Sequence, residues 1–95
     1  MTSWTTEQRI ASCFQRIQIL ETTRTEIINQ RTEDAQFLLE FPNAPEVRVQ
    51  HIADFTRVSD EVLIQIDNQK EALRRLVEHL SGLLAAFPRP QPTSG

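Results

Sequence analysis

The sequence predicts an all-α protein: an antiparallel two-helix hairpin, coiled-coil-like, that completes a bundle with partner helices. Three observations carry that expectation. From Ile52 onward, Phe55, Ser59, Val62, Ile66, Gln69, Leu73, Leu76, Leu80, Leu83 and Phe87 follow at alternating three- and four-residue steps. That is the 3.5-residue period a helix needs to keep one stripe against a neighbour. The prolines cluster at 42–45 and 88–92, and only two glycines occur in the chain, so two long stretches lack helix breakers. At 95 residues with a single cysteine, Cys13, the chain has room for one small domain and no internal disulfide.

Taken in order, residues 1–4 read as a lead, residues 5–87 as the hairpin, and residues 88–95 as a flexible Pro-rich tail. Thr5 and Gln8 have capping-box spacing, and Glu7 suits the positive end of a helix dipole, so helix one is expected over 5–41. Pro42 disfavours a helical residue before it and stops the run. Residues 42–44 form the corner. Asn43 is expected to cap helix two, with Pro45 in its first turn and Glu46 at the capping-box position, and helix two is expected over 45–87. So short a connection makes the helices antiparallel neighbours.

Helix one carries a less regular stripe: Ile10, Cys13, Phe14, Ile17, Leu20, Arg24, Ile27, Ile28, Arg31, Ala35, Leu38 and Leu39. A corner centred near Asn43 sets Ala35 by Ile52, Ile27 and Ile28 by Ser59, Leu20 by Ile66, and Cys13 and Phe14 by Leu73. Arg24 and Arg31 then fall beside Val62 and Phe55. Their stems cover the seam while the guanidinium groups reach Glu21, Asp54 or Asp60, a device that fixes register.

Several apolar residues find no place in a two-helix seam. In the heptad with Ile52 at position a and Phe55 at d, Ile64 is outermost, Leu63, Val77 and Leu84 lie on one flank, and Val58, Ala72 and Ala86 on the other. So wide an apolar arc expects more than one neighbour. Pairing back from Asn43 also exhausts helix one near Leu80, leaving Leu83, Leu84 and Phe87 as an overhang. The expected partner interface is therefore Val58, Leu63, Ile64, Leu80, Leu83, Leu84 and Phe87. The competing expectation ends helix two at Gly82 with a glycine cap and folds Leu83 to Phe87 back as a plug.

Chemistry finds little to stand on. His51 and His79 share a face but lie ~40 Å apart along a helix, too far to share a metal. Cys13 has no CxxC partner and occupies an inner position, where it acts as a small hydrophobe. The acid pairs Glu33–Asp34 and Asp60–Glu61 read as solvated helix faces, and no phosphate loop, HExxH or G-x-S-x-G occurs. The expectation is a non-enzymatic protein without metal, cofactor or small-molecule substrate.

Arg9, Arg16, Arg24 and Arg31 recur along helix one, yet thirteen acids accompany the ten basic residues and the net charge is -3. Flanking salt bridges explain the row more simply than direct nucleic-acid contact. No charged lead with an apolar core and no run near ~20 apolar residues is found, so a cytoplasmic or nuclear protein without membrane contact is expected. The function read from the residues is interaction or scaffolding through coiled-coil association, with itself or with helical partners.

The stretch Gln15-Arg16-Ile17 with Leu20 and Arg24, and, after the corner, Phe55, Ser59 and Glu61-Val62-Leu63, resembles the helical core of the required-for-excision B-domain family. The resemblance covers about half the chain. It implies a small helical protein with no enzymatic activity and an accessory role in a DNA-repair assembly. The present corner is shorter and holds Pro42 and Pro45, helix two is uninterrupted, and no site residues carry over.

Overall fold

A computed structural model describes residues 5–86. It contains two helices, α1 (Thr6–Glu40, 35 residues) and α2 (Glu46–Ala86, 41 residues), which pack against each other. At 1.5 Å per residue they are ~52 and ~61 Å long.

The start of α1 follows from its capping box. The Gln8 backbone N–H donates to Thr5 Oγ1 at 3.1 Å, and the Thr5 N–H donates to Gln8 Oε1 at 2.9 Å. Two of the four orphan donors at a helix start are thereby occupied. At the other end the Phe41 N–H donates to the Phe37 carbonyl, and Pro42 then stops the ladder.

The corner differs from expectation at its far side. Asn43 lies in a turn whose Ala44 N–H donates to the Phe41 carbonyl, and the N–H groups of Arg48 and Val49 both donate to the Pro45 carbonyl. Pro45 therefore occupies the capping position and Glu46 begins the helix, instead of Asn43 capping from two residues upstream. The physical reason is Pro45 itself: it biases Ala44 away from helical geometry and so delays the first turn. Glu46 still sits where the dipole favours an acid. Around the corner Phe37 and Phe41 stack at 5.0 Å in a tilted pair, and the Arg48 guanidinium lies 4.9 Å over the Phe37 ring.

At the far end, α2 runs straight through Gly82 to Ala86. The early end at Gly82 is thus overturned, and with it the plug, since four more helical residues follow the glycine. Phe87 and the tail lie outside the described residues. No helix among the described residues is long and apolar enough to cross a membrane.

The buried seam consists of Cys13 and Ile17 from α1 with Ile52, Ser59, Ile66 and Leu80 from α2. Cys13 is a free thiol that packs as the small hydrophobe the sequence implies. Asp34 is also buried, only 7% exposed, where a solvated acid was expected. It stands on the α1 stripe, seven residues after Ile27, so helical geometry turns it inward and Gln30 Nε2 donates to its Oδ1 at 2.9 Å.

Candidate helix-docking surface

The a positions of α2, Ile52, Ser59, Ile66 and Leu80, are buried and Leu73 is half-buried, as a coiled-coil seam requires. The next most covered row is not d but e: Thr56, Leu63, Lys70, Val77 and Leu84 are all half-buried. Of the d row, Val62 is half-buried while Phe55, Gln69, Leu76 and Leu83 are exposed. The helix is thus rotated about its axis so that a and e face α1. Both rows carry leucines and valines, and it is the e row that lies covered. The interhelix ion pairs lie on that same flank.

Arg24 Nε meets Asp67 Oδ1 at 3.1 Å and Arg31 Nη1 meets Asp60 Oδ1 at 2.6 Å. Glu21 Oε1 lies 3.5 Å from Lys70 Nζ and 3.6 Å from Arg74 Nη2. All four contacts fall on the a/e/b side of α2. Lys70, whose side chain is only 13% exposed, lays its stem along the seam and takes its ammonium to Glu21. Of the two expected arginine contacts, Arg31 finds one of the carboxylates anticipated for it and Arg24 does not, taking Asp67 instead. Arg24–Asp67, Arg31–Asp60 and Glu21–Lys70 join residues about one turn beyond the level at which the helices face each other, and Glu21–Arg74 about two. Side chains lean toward the N-terminus of their own helix, and in an antiparallel pair those leans converge.

The same lean corrects one interface residue. Leu80 is 6% exposed. It stands near the level of Thr6, and its side chain inclines back over α1 rather than past its end, so it belongs to the hairpin and leaves the candidate surface. The remaining expected positions divide among three faces. Val58, 48% exposed, and Leu83, 39% exposed, share the open side of α2. Leu63 and Leu84 lie half-buried on the ion-paired flank. Ile64, 61% exposed, points away from both. Phe87 falls outside the described residues.

Among residues assigned to the inner seam, Phe14, Ile28, Ala35 and Leu39 of α1 and Gln69 of α2 are exposed, and so are two apolar residues of α2, Phe55 at 37% and Leu76 at 44%. With Val58 and Leu83 the latter two form one apolar row on the d/g side, on which no interhelix ion pair is found among the described residues. In the sequence the d row is broken only at Gln69 and the e row at Thr56 and Lys70, so apolarity alone points to d as the inner row. Against this row, an open groove of about 440 Å³ is lined by Arg16, Ile19, Leu20, Gln69, Ala72 and Leu73, mostly apolar atoms. On α1, Ile19 is exposed beside it.

Among the described residues no group of three His, Cys, Asp or Glu side chains could hold a metal. Of the arginine row of α1, Arg24 and Arg31 are paired with Asp67 and Asp60. No protein-family model, curated protein or solved structure matches this chain.

Proposed function

We propose that this protein acts without catalysis, as an interaction or scaffold subunit that associates through helical-bundle packing in the cytoplasm or nucleus. The observation that carries the reading is the set of exposed apolar residues Phe55, Val58, Leu76 and Leu83, towards the two ends of α2 on the side where no interhelix ion pair is found among the described residues. A hairpin with one covered seam and one uncovered row has a built-in place for further helices, and aligned apolar rows of this kind mark interaction surfaces. An accessory role in a nucleic-acid-associated assembly fits this reading through protein contacts, and the pairing of Arg24 and Arg31 with Asp67 and Asp60 favours that route over direct contact.

The test is the mass of the chain in solution, alone and as recovered from its native extract, for the unaltered protein and for Phe55→Ser, Leu76→Ser and Leu83→Ser. The expected result is a complex whose mass falls toward the monomer in the variants while helicity by circular dichroism is kept. A monomer in both settings, or masses indifferent to all three substitutions, removes the reading.

A further inference from the structure

We infer that the occupant of the open face is a second copy of this chain, packed antiparallel across a two-fold axis that passes beside Gln69. The inference rests on the association reading above and names its partner and register. Around α2, the a/e side that faces α1 and the open d/g side are about 100° apart, one residue's rotation. That is close to the right angle between the two neighbours of a helix in a four-helix bundle, so a helix on the open face completes a square instead of crowding α1.

The d row is arranged symmetrically about Gln69. Val62 and Leu76 stand seven residues to either side, and Phe55 and Leu83 fourteen. An antiparallel copy therefore sets Val62 against Leu76 of the second copy and Phe55 against Leu83 of the second copy, and brings Gln69 to itself. A carboxamide both donates and accepts, so it can satisfy its own duplicate, and a single polar residue in an apolar row fixes the register of a helix pair. A shift by one heptad would put Gln69 against Val62 or Leu76 and leave its amide without that partner.

Charge follows the same axis. Position c of α2 flanks the open row and holds exposed Glu61 and Arg75, eight residues before and six after Gln69; Arg75 rests 3.3 Å from Glu71 of its own helix, a solvated pair that a second carboxylate can join or replace. Across the axis each Glu61 comes within two residues of level with Arg75 of the second copy, and the symmetry makes two such pairs. On α1 the axis passes near Ile17, where exposed Arg9 comes level with exposed Glu26 of the second copy. The row from Phe55 to Leu83 is ~42 Å long, and a face one to two helix diameters wide gives on the order of 400–800 Å² per copy. The upper end of that range meets the ~800 Å² per partner of a stable interface.

The experiment uses the full chain with Cys13→Ala, so that introduced thiols report alone. Gln69→Cys is expected to form a disulfide-linked dimer under mild oxidation at least tenfold faster than Ile64→Cys, which lies on the far side of α2. Mixed Val62→Cys and Leu76→Cys chains are expected to crosslink to each other faster than either does to itself. In sedimentation equilibrium, Glu61→Arg and Arg75→Glu are each expected to raise the dimer dissociation constant about three- to tenfold, and the double exchange to restore it. A dimer in which Gln69→Cys links no faster than Ile64→Cys overturns this axis and leaves the association reading standing. A chain that stays monomeric alone but is recovered from native extract in a complex disrupted by Leu76→Ser overturns the second copy in favour of a different helical partner. A monomer in both settings overturns both.

Discussion

The two flanks of the α1–α2 seam are built differently. On one, Glu21, Arg24 and Arg31 reach Lys70, Arg74, Asp67 and Asp60 across the groove, and the apolar residues beneath, Leu63 and Val77, are half-buried. On the other, Phe55, Leu76 and Leu83 stand exposed beside an open apolar groove. Exposed ion pairs contribute only about 0–1 kcal/mol each, so the charged flank is not where the fold gets most of its stability. Its interest is geometric: the pairs bridge the flank whose e row is covered, while the d row, broken only by Gln69, is left largely exposed on the other.

The sharpest way to test that division is to truncate one leucine on each side of it. Leu80, buried in the seam, should lose about 2–5 kcal/mol of unfolding free energy on Leu80→Ala, by lost transfer energy and the cavity left behind. Leu83→Ala, three residues on and in the open row, should cost about 0.5 kcal/mol or less in the isolated hairpin, its effect falling on association instead. Urea denaturation at protein concentrations below and above assembly separates the two. Equal losses at low concentration would mean that the rows are not distinguished as described.

Asp34 offers the next largest effect. It occupies the buried stripe of α1 with Gln30 as its hydrogen-bond donor, beside a small cavity lined also by Arg48, His51 and Ile52. A buried acid held by one neutral donor at a seam position trades stability for register, so Asp34→Leu should raise unfolding free energy by about 1–3 kcal/mol. A loss on thermal melting would instead assign Asp34 a net favourable role in holding the corner.

Asp34 also marks what was legible in the sequence and what was not. The helices, the sharp corner and the Thr5–Gln8 box could be read because breakers and caps act within a few residues of themselves. The inward turn of Asp34 and the rotation of α2 could not, because each depends on the other helix. Leu63 and Val62 are both apolar in the chain, and which of their rows turns toward α1 is settled only where the two helices meet, with Arg24 reaching Asp67 and Glu21 reaching Lys70 on the covered flank. Leu80 departs from expectation for a related reason: side chains do not point straight across but lean toward their own N-termini by about a turn.

Gly82 tests the far end of the open row. It is helical, and a methyl group at its Cβ position would meet nothing within 4 Å. Gly82→Ala should therefore stabilise the helix by about 0.5–1 kcal/mol, chiefly by narrowing the unfolded ensemble. Melting curves followed at 222 nm would record a rise of a few degrees. A fall would mean that the last turn of α2 does not persist as a helix in solution, and Leu83 would then drop out of the docking row.

The smallest expected effect bears most directly on what orients the helices. In a double-mutant cycle, Arg24→Gln and Asp67→Asn should show a coupling of only about 0.2–1 kcal/mol, falling as salt is raised, because both side chains are largely solvated. If orientation is the purpose of the charged flank, the consequence for assembly should exceed that coupling. Loosening Arg24–Asp67 and Arg31–Asp60 together frees α2 to roll its d row toward α1, which would cover Phe55 and Leu76 and withdraw them from a partner. The quadruple variant should thus keep nearly all of its unfolding free energy at low concentration yet assemble several-fold more weakly. Unchanged assembly would show that packing of Ile52, Ser59 and Ile66 sets the rotation by itself, and that the ion pairs only decorate a flank already fixed.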